Sequence, residues 1–141
     1  MARKKLPIGI SEFAELREKN CVYVDKTRHI YSLLTDNSRT FLSRPRRFGK
    51  SLLASTLAAA LQGKKELFEG LWITNSDYAW TPVGVIKLDF SELSTESIGE
   101  FKESFLDSLI DIGESEGITL KESSNINVIF RHLISTLQVL L

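Results

Sequence analysis

The sequence predicts an α/β fold, rich in helix and with few strands, those few running parallel. Three observations carry this expectation. A short β-leaning stretch, Arg39-Thr-Phe-Leu-Ser43, leads into a basic loop, Arg44-Pro-Arg-Arg-Phe-Gly-Lys-Ser51, and then into a strong helix former, Leu52 to Gln62, closed by Gly63. A second stretch, Val83 to Phe90, is almost continuously apolar, in the manner of a strand buried on both faces. Elsewhere apolar residues recur at helical spacing. Two strands are too few for a complete doubly wound sheet.

Taken in order, residues 1–10 read as an irregular lead-in, broken by Pro7 and Gly9. Ser11 is a candidate N-cap for a short helix whose apolar side is Phe13 and Leu16, with Asn20 able to end it. Val22-Tyr23-Val24 is extended. Asp25 then caps a second helix running to about Thr35, with Ile30, Leu33 and Leu34 as its apolar face. Asp36-Asn-Ser38 is a turn before the first strand. After Gly63, the run from Lys64 to Gly70 suits a helical turn carrying Leu67 and Phe68. Residues 70–82 read as loop and short helix anchored by Trp72 and Trp80, and Pro82 resets the chain. Past the second strand, Ser97 and Glu100 have capping-box spacing at the head of a long helix. Its stripe is Ile98, Phe101, Phe105, Leu109 and Ile112. Ser123-Ser-Asn opens a last helix with Ile126, Ile129, Phe130, Leu133, Leu137 and Leu140 on one side.

The 141 residues suffice for one domain with a real core, and 43% apolar with 26% charged residues is ordinary globular composition. No apolar run reaches the roughly 18 residues that span a bilayer. Basic residues at the start are not followed by an apolar segment, so a secretory signal is not expected and a cytoplasmic location is. The single Cys21 allows no internal disulfide and reads as a buried thiol. The zero net charge hides an asymmetry: residues 1–51 hold 12 Lys/Arg against 5 Asp/Glu. A basic first third points to an anionic ligand, or to two halves of complementary charge.

The loop is where chemistry concentrates. Phosphates need donors without bulk, which successive backbone N–H groups and the positive end of a helix supply. Gly49 lets the backbone approach closely, Lys50 supplies a point charge for β and γ phosphates, and Ser51 can place its hydroxyl on Mg²⁺. The general pattern Gly-x-x-x-x-Gly-Lys-Ser/Thr would put its first glycine where Arg44 stands. From the residues alone, three readings stay open: nucleotide binding, a basic turn capping a helix, and a nucleic-acid patch of Arg44, Arg46, Arg47 and Lys50.

Several segments together resemble a known family. Ile10-Ser-Glu-Phe13 with Leu16-Arg-Glu18, Tyr23-Val-Asp-Lys-Thr27, Arg44 to Leu52, Gly63-Lys-Lys-Glu-Leu-Phe-Glu-Gly70 and Val85-Ile-Lys-Leu-Asp-Phe-Ser91 look like the N-terminal half of AAA-ATPase-like domain proteins. These are bacterial and archaeal P-loop ATPases predicted from sequence, often joined to a C-terminal nuclease-like domain of the PD-(D/E)XK type. The similarity runs from about Leu6 to about Leu137, and Arg44 in place of glycine is that family's habit.

The resemblance implies a partial P-loop NTPase fold of three layers, α/β/α. Residues 1–141 would be an incomplete N-terminal portion: a helical lead-in at 1–38, the strand, loop and helix at 39–63, and a second strand with two helices at 83–141. It implies ATP and Mg²⁺ as ligands. The nucleotide would be held by Arg46, Arg47, Phe48, Gly49, Lys50, Ser51 and Leu52, with the metal on Ser51 through the nucleotide. The family's acidic Walker B strand has no counterpart before Val139-Leu-Leu141, and Asp89 is a poor substitute on the earlier strand. The expectation is therefore a fragment or truncated product that binds ATP without turning it over. Partners would be a nucleotide, nucleic acid only through a parent protein's C-terminal part, and other copies through exposed sheet edges. The competing expectations are a nucleic-acid-binding module or an inert product. His29 and His132 read as surface or packing residues, the Asp25-Lys-Thr27 opening as capping or as a cover for adenine, and neither tryptophan as a base stacker.

Overall fold

The computed structural model describes residues 4–36, 39–91, 93, 94, 96–120, 123 and 125–139. The chain divides into two compact units, Met1–Pro82 and Val83–Leu141.

The first unit is helical. Helix α1 (Phe13–Glu18) buries Phe13 and Leu16 on one side. The cap expected of Ser11 is not made by its side chain. Ser55, 42 residues away, accepts the Phe13 N–H at 3.0 Å and donates to the Ser11 carbonyl at 3.2 Å. A buried hydroxyl from another helix thus replaces the local cap, because it satisfies the same orphan donor. Asn20, at φ 50°, turns the chain out of α1 as expected. Cys21, buried, forms an isolated parallel bridge with Lys5.

Helix α2 (Thr27–Thr35) puts Ile30 into the core with Leu34 packed beside it. Helix α3 (Lys50–Leu61) carries Ser55, Thr56, Ala59 and Ala60 on its buried side. These small residues let it pack against both α1 and α2. Gly63, at φ 69°, ends the segment where a Cβ would stand 2.9 Å from the Trp80 carbonyl oxygen and 3.0 Å from Pro82 Cγ. Two 3-10 turns follow, Lys65–Phe68 and Trp72–Asn75, seating Phe68, Leu71 and Ile73 in the same core. Trp80 half-buries against Phe68 and Tyr78, with ring centroids at 4.9 and 5.0 Å. Trp72 stays more open, edge-on to Tyr31, with the Arg28 guanidinium 5.2 Å above its ring.

The second unit packs helix α4 (Ile98–Ser115) against helix α5 (Ile126–Val139). Leu109, Ile118, Ile129, Leu133 and Leu137 make its core. The Ser97 hydroxyl accepts the Glu100 N–H at 3.1 Å, the expected first half of a capping box. The second half is absent, since the Glu100 carboxylate turns to the Ser94 hydroxyl at 3.1 Å. Ile98 is 78% exposed and leaves the predicted stripe, whereas Phe101 stacks on Phe105 and Phe105 on Phe90. His132, expected at the surface, is half-buried, and among the described residues its Nδ1 has no hydrogen-bond partner. Leu140 lies outside the described residues.

The predicted three-layer α/β/α architecture is not what the chain adopts. The described residues contain no sheet. Residues 39–45 and 83–89 take no regular secondary structure and join no ladder, and the Lys5–Cys21 bridge is isolated. An extended segment becomes a strand only when a neighbour accepts and donates its backbone hydrogen bonds, and neither segment finds one. Their apolar side chains take other routes. Ile86 and Leu88 pack on the α4–α5 core, and Gly84 lies so close to Leu137 that a Cβ would collide with it. Phe41 is instead 91% exposed. The sheet edges expected as association surfaces are likewise absent among the described residues.

Candidate functional site

The basic loop enters α3 through two left-handed residues, Arg47 at φ 66° and Gly49 at φ 73°. Gly49 is the helix N-cap and contributes no side chain to it. The first helical bond that closes on it runs from the Leu53 N–H to the Gly49 carbonyl at 2.9 Å. The N–H groups of Lys50, Ser51 and Leu52 precede that bond, so they lie at the positive end of a 12-residue helix. Nothing would meet a Cβ at Gly49 within 4 Å, so open space faces the turn. The glycine is required by its φ and not by crowding.

Each predicted site residue can be placed. Arg46, Arg47, Phe48, Gly49, Lys50 and Ser51 are all exposed, Phe48 at 62%. Leu52 differs: its side chain packs on the first unit's core, leaving only its backbone to the loop. Its carbonyl accepts from the buried Thr56 hydroxyl at 2.6 Å, which fixes the first turn of α3 to a buried group. The Lys50 ammonium donates to the carbonyls of Arg44 and Pro45, both at 2.8 Å. Those two carbonyls were not legible as part of the site, because backbone acceptors leave no residue signature.

Charge around the loop is one-sided. The sequence has no Asp or Glu between Asp36 and Glu66, while it has Arg39, Arg44, Arg46, Arg47, Lys50, Lys64 and Lys65. Lys19 and Glu15 form an ion pair on α1, away from this stretch in sequence. A basic loop at a helix N-terminus, in a stretch of sequence without carboxylates, is suited to an anion.

The Asp25-Lys-Thr27 opening does the capping and packing expected of it. The Asp25 carboxylate accepts from the Thr27 N–H at 2.8 Å, the Thr27 hydroxyl at 2.7 Å and the Trp72 N–H at 2.7 Å. The fully buried Thr27 hydroxyl also accepts the Ile73 N–H at 3.1 Å. Partial burial would raise the Asp25 carboxyl. The hydrogen bonds from Thr27 and Trp72, with the Arg17 charge, outweigh it and hold the group below its ordinary value. This knot ties the start of α2 to the turn at 72–75. Arg17 adds a second tie, donating to the carbonyls of Leu67 at 2.7 Å and Glu69 at 2.6 Å. Asp89 closes a local turn by accepting from the Ser91 N–H and hydroxyl, and these bonds hold its carboxyl down. Among the described residues no three His, Cys, Asp or Glu side chains gather as a metal site. Among the described residues no helix is long and apolar enough to cross a membrane.

Comparison with known proteins adds the lineage. No solved structure matches the chain. An uncharacterized protein in the vnfD 5′ region of Azotobacter chroococcum mcd 1 is 53% identical over 74 residues, covering 52% of this chain and 14% of that protein. The family model described as predicted AAA-ATPase matches residues 7–139, nearly the whole length. The chain therefore belongs to the AAA-ATPase-like family of predicted AAA-ATPases.

Proposed function

We propose that this chain binds a nucleoside triphosphate, ATP with Mg²⁺, at the Arg46–Leu52 loop. One observation carries the reading: the left-handed Gly49 opens α3 with Lys50 as its first residue, inside a stretch free of carboxylates. The exposed donor set fits a polyphosphate. Backbone N–H groups of Phe48 to Leu52 would receive its oxygens, with Lys50, Arg46 and Arg47 adding charge. The Ser51 hydroxyl is the one hard oxygen side chain in the segment from Arg46 to Leu52. Mg²⁺ would therefore arrive with the nucleotide instead of being held by the protein alone.

Hydrolysis is not part of the proposal for this chain. Turnover relies on positioned carboxylates and waters, whereas Asp25 is engaged with Thr27 and the Trp72 N–H and Asp89 in a local turn. Titration of Mg-ATP by calorimetry should show saturable binding to the wild type and at least a tenfold loss, about 1.4 kcal/mol, in Lys50→Ala. Equal affinities for the two would refute the site. Phosphate release above background that Lys50→Ala abolishes would refute the lack of turnover.

A second reading has its own support. Phe41 and Phe48, 91% and 62% exposed, alternate with Arg39, Arg44, Arg46 and Arg47. Exposed aromatics among cations suit single-stranded nucleic acid, whose bases stack while its phosphates pair with charge. Anisotropy of a labelled oligonucleotide with a steep salt slope, unaffected by ATP, would favour that reading over the first.

A further inference from the structure

Every second residue from Gly84 to Phe90 meets the helices of the second unit. A Cβ at Gly84 would collide with Leu137 of α5, Ile86 and Leu88 pack on the α4–α5 core, and the Phe90 ring stacks on Phe105 of α4 at 5.9 Å. Lys87 and Asp89, between them, are exposed. That two-residue alternation belongs to a strand with one face on a core. Yet among the described residues Val83 to Ile86 and Leu88 to Phe90 make no backbone hydrogen bond. The segment thus has a strand's side-chain pattern and a helical layer beneath it, but no ladder. Unpaired backbone beside an apolar face is a template for a strand from another chain.

The side chains select which strand. When two copies pair antiparallel, inward residues must oppose inward residues, or one apolar face turns to water. Centring the pair on Lys87 or on Asp89 sets like charges opposite each other, and centring it on Ile86 sets Lys87 opposite Val85. Centring it on Leu88 sets Lys87 opposite Asp89 twice, and Ile86 opposite Phe90, which is 59% exposed in the single chain. Opposite charges and aromatic–aliphatic pairs across a ladder stabilise it, whereas like charges directly opposite destabilise it. The Ser91 N–H and hydroxyl both bond Asp89 at Oδ1, and a carboxylate can accept further bonds from an ammonium.

We propose that this segment is a self-pairing interface: two copies of the chain join antiparallel through residues 86–90, about a two-fold axis at Leu88. Such an interface uses the same patch on both copies. The ladder rests on α4 and α5 of each copy, the support that an isolated two-stranded ladder lacks. One strand pair is a small interface, so the dimer is weak and forms with rising concentration. None of this depends on the nucleotide reading.

Sedimentation equilibrium of the full chain over a range of concentrations should show one chain and two in exchange. Lys87→Glu and Asp89→Lys each set like charges opposite in two places, and each should dimerise about tenfold more weakly. Mixed together, the two variants should pair as well as the wild type does, because each meets the opposite charge on the other. Lys87→Arg keeps the charge and should dimerise like the wild type. Lys87→Glu and Lys87→Arg leave the Asp89–Ser91 turn in place, so their contrast holds even if Asp89→Lys loses its helical circular dichroism. A wild type that stays one chain at every concentration, or that grows beyond two, would overturn the proposal. So would a Lys87→Glu variant that dimerises like the wild type, or a mixture of two folded variants that pairs no better than either alone.

Discussion

Replacing Thr27 by valine keeps the shape of a fully buried side chain and removes only its hydroxyl. That hydroxyl works twice, donating to Asp25 at 2.7 Å and accepting the buried Ile73 N–H at 3.1 Å. Losing the bond to a carboxylate costs about 1.5–3 kcal/mol, and leaving a buried N–H unpaired costs about 1–3 kcal/mol more. The two share one atom and do not simply add, so Thr27→Val should destabilise the first unit by about 2–4 kcal/mol. Both tryptophans of the chain, Trp72 and Trp80, lie in that unit. Their fluorescence during urea unfolding therefore reports on it directly. The midpoint should fall clearly, whereas Thr27→Ser, which retains the hydroxyl, should lose less. The same knot sets a pH dependence. The Asp25 carboxyl is depressed below its ordinary value of 3.8, so its contribution is complete above that value and is lost as pH falls through the lower folded-state value. Thr27→Val should flatten that acid limb. A valine variant that unfolds at the wild-type midpoint, or a serine variant as damaged as the valine one, would refute the reasoning.

Gly63→Ala should destabilise the same unit by about 1–3 kcal/mol by the fluorescence midpoint, since it forces a left-handed φ on alanine and drives its Cβ toward the Trp80 carbonyl oxygen. Ser97→Ala removes the acceptor of the Glu100 N–H and should lower the stability of α4 by about 1 kcal/mol, read by helical circular dichroism. Leu133→Ala empties a fully buried position of the α4–α5 core and should cost about 2–5 kcal/mol by the same measurement.

Features governed by neighbours in the chain were legible. The run from Leu52 to Gln62 is rich in alanine and leucine, so α3 could be placed to within a turn, and Gly63 marked its end. Ser97 found its Glu100 N–H because an N-cap acts over three residues. The basic loop was legible as a candidate because Gly49, Lys50 and Ser51 stand between a β-leaning stretch and a strong helix former. Ser11 shows the opposite case. It has the right chemistry for a cap, yet Ser55 of α3 serves the Phe13 N–H instead. Asp25 was read as a helix cap, but its grip on the Trp72 N–H, 47 residues on, had no local trace.

The extended segments mark the same boundary most sharply. Arg39–Ser43 and Val83–Phe90 carry the β-branched and aromatic residues of strands. Neither became a strand, because a ladder belongs to two segments and composition describes only one. In the same way, residue types made Lys50 a candidate phosphate ligand, whereas only the folded backbone brought the carbonyls of Arg44 and Pro45 onto it. Helical periodicity, glycine φ and short-range caps are paid for within a few residues and can be read there. Hydrogen bonds that cross the fold depend on which distant groups the packing leaves unsatisfied, and that is settled only when the chain has closed on itself.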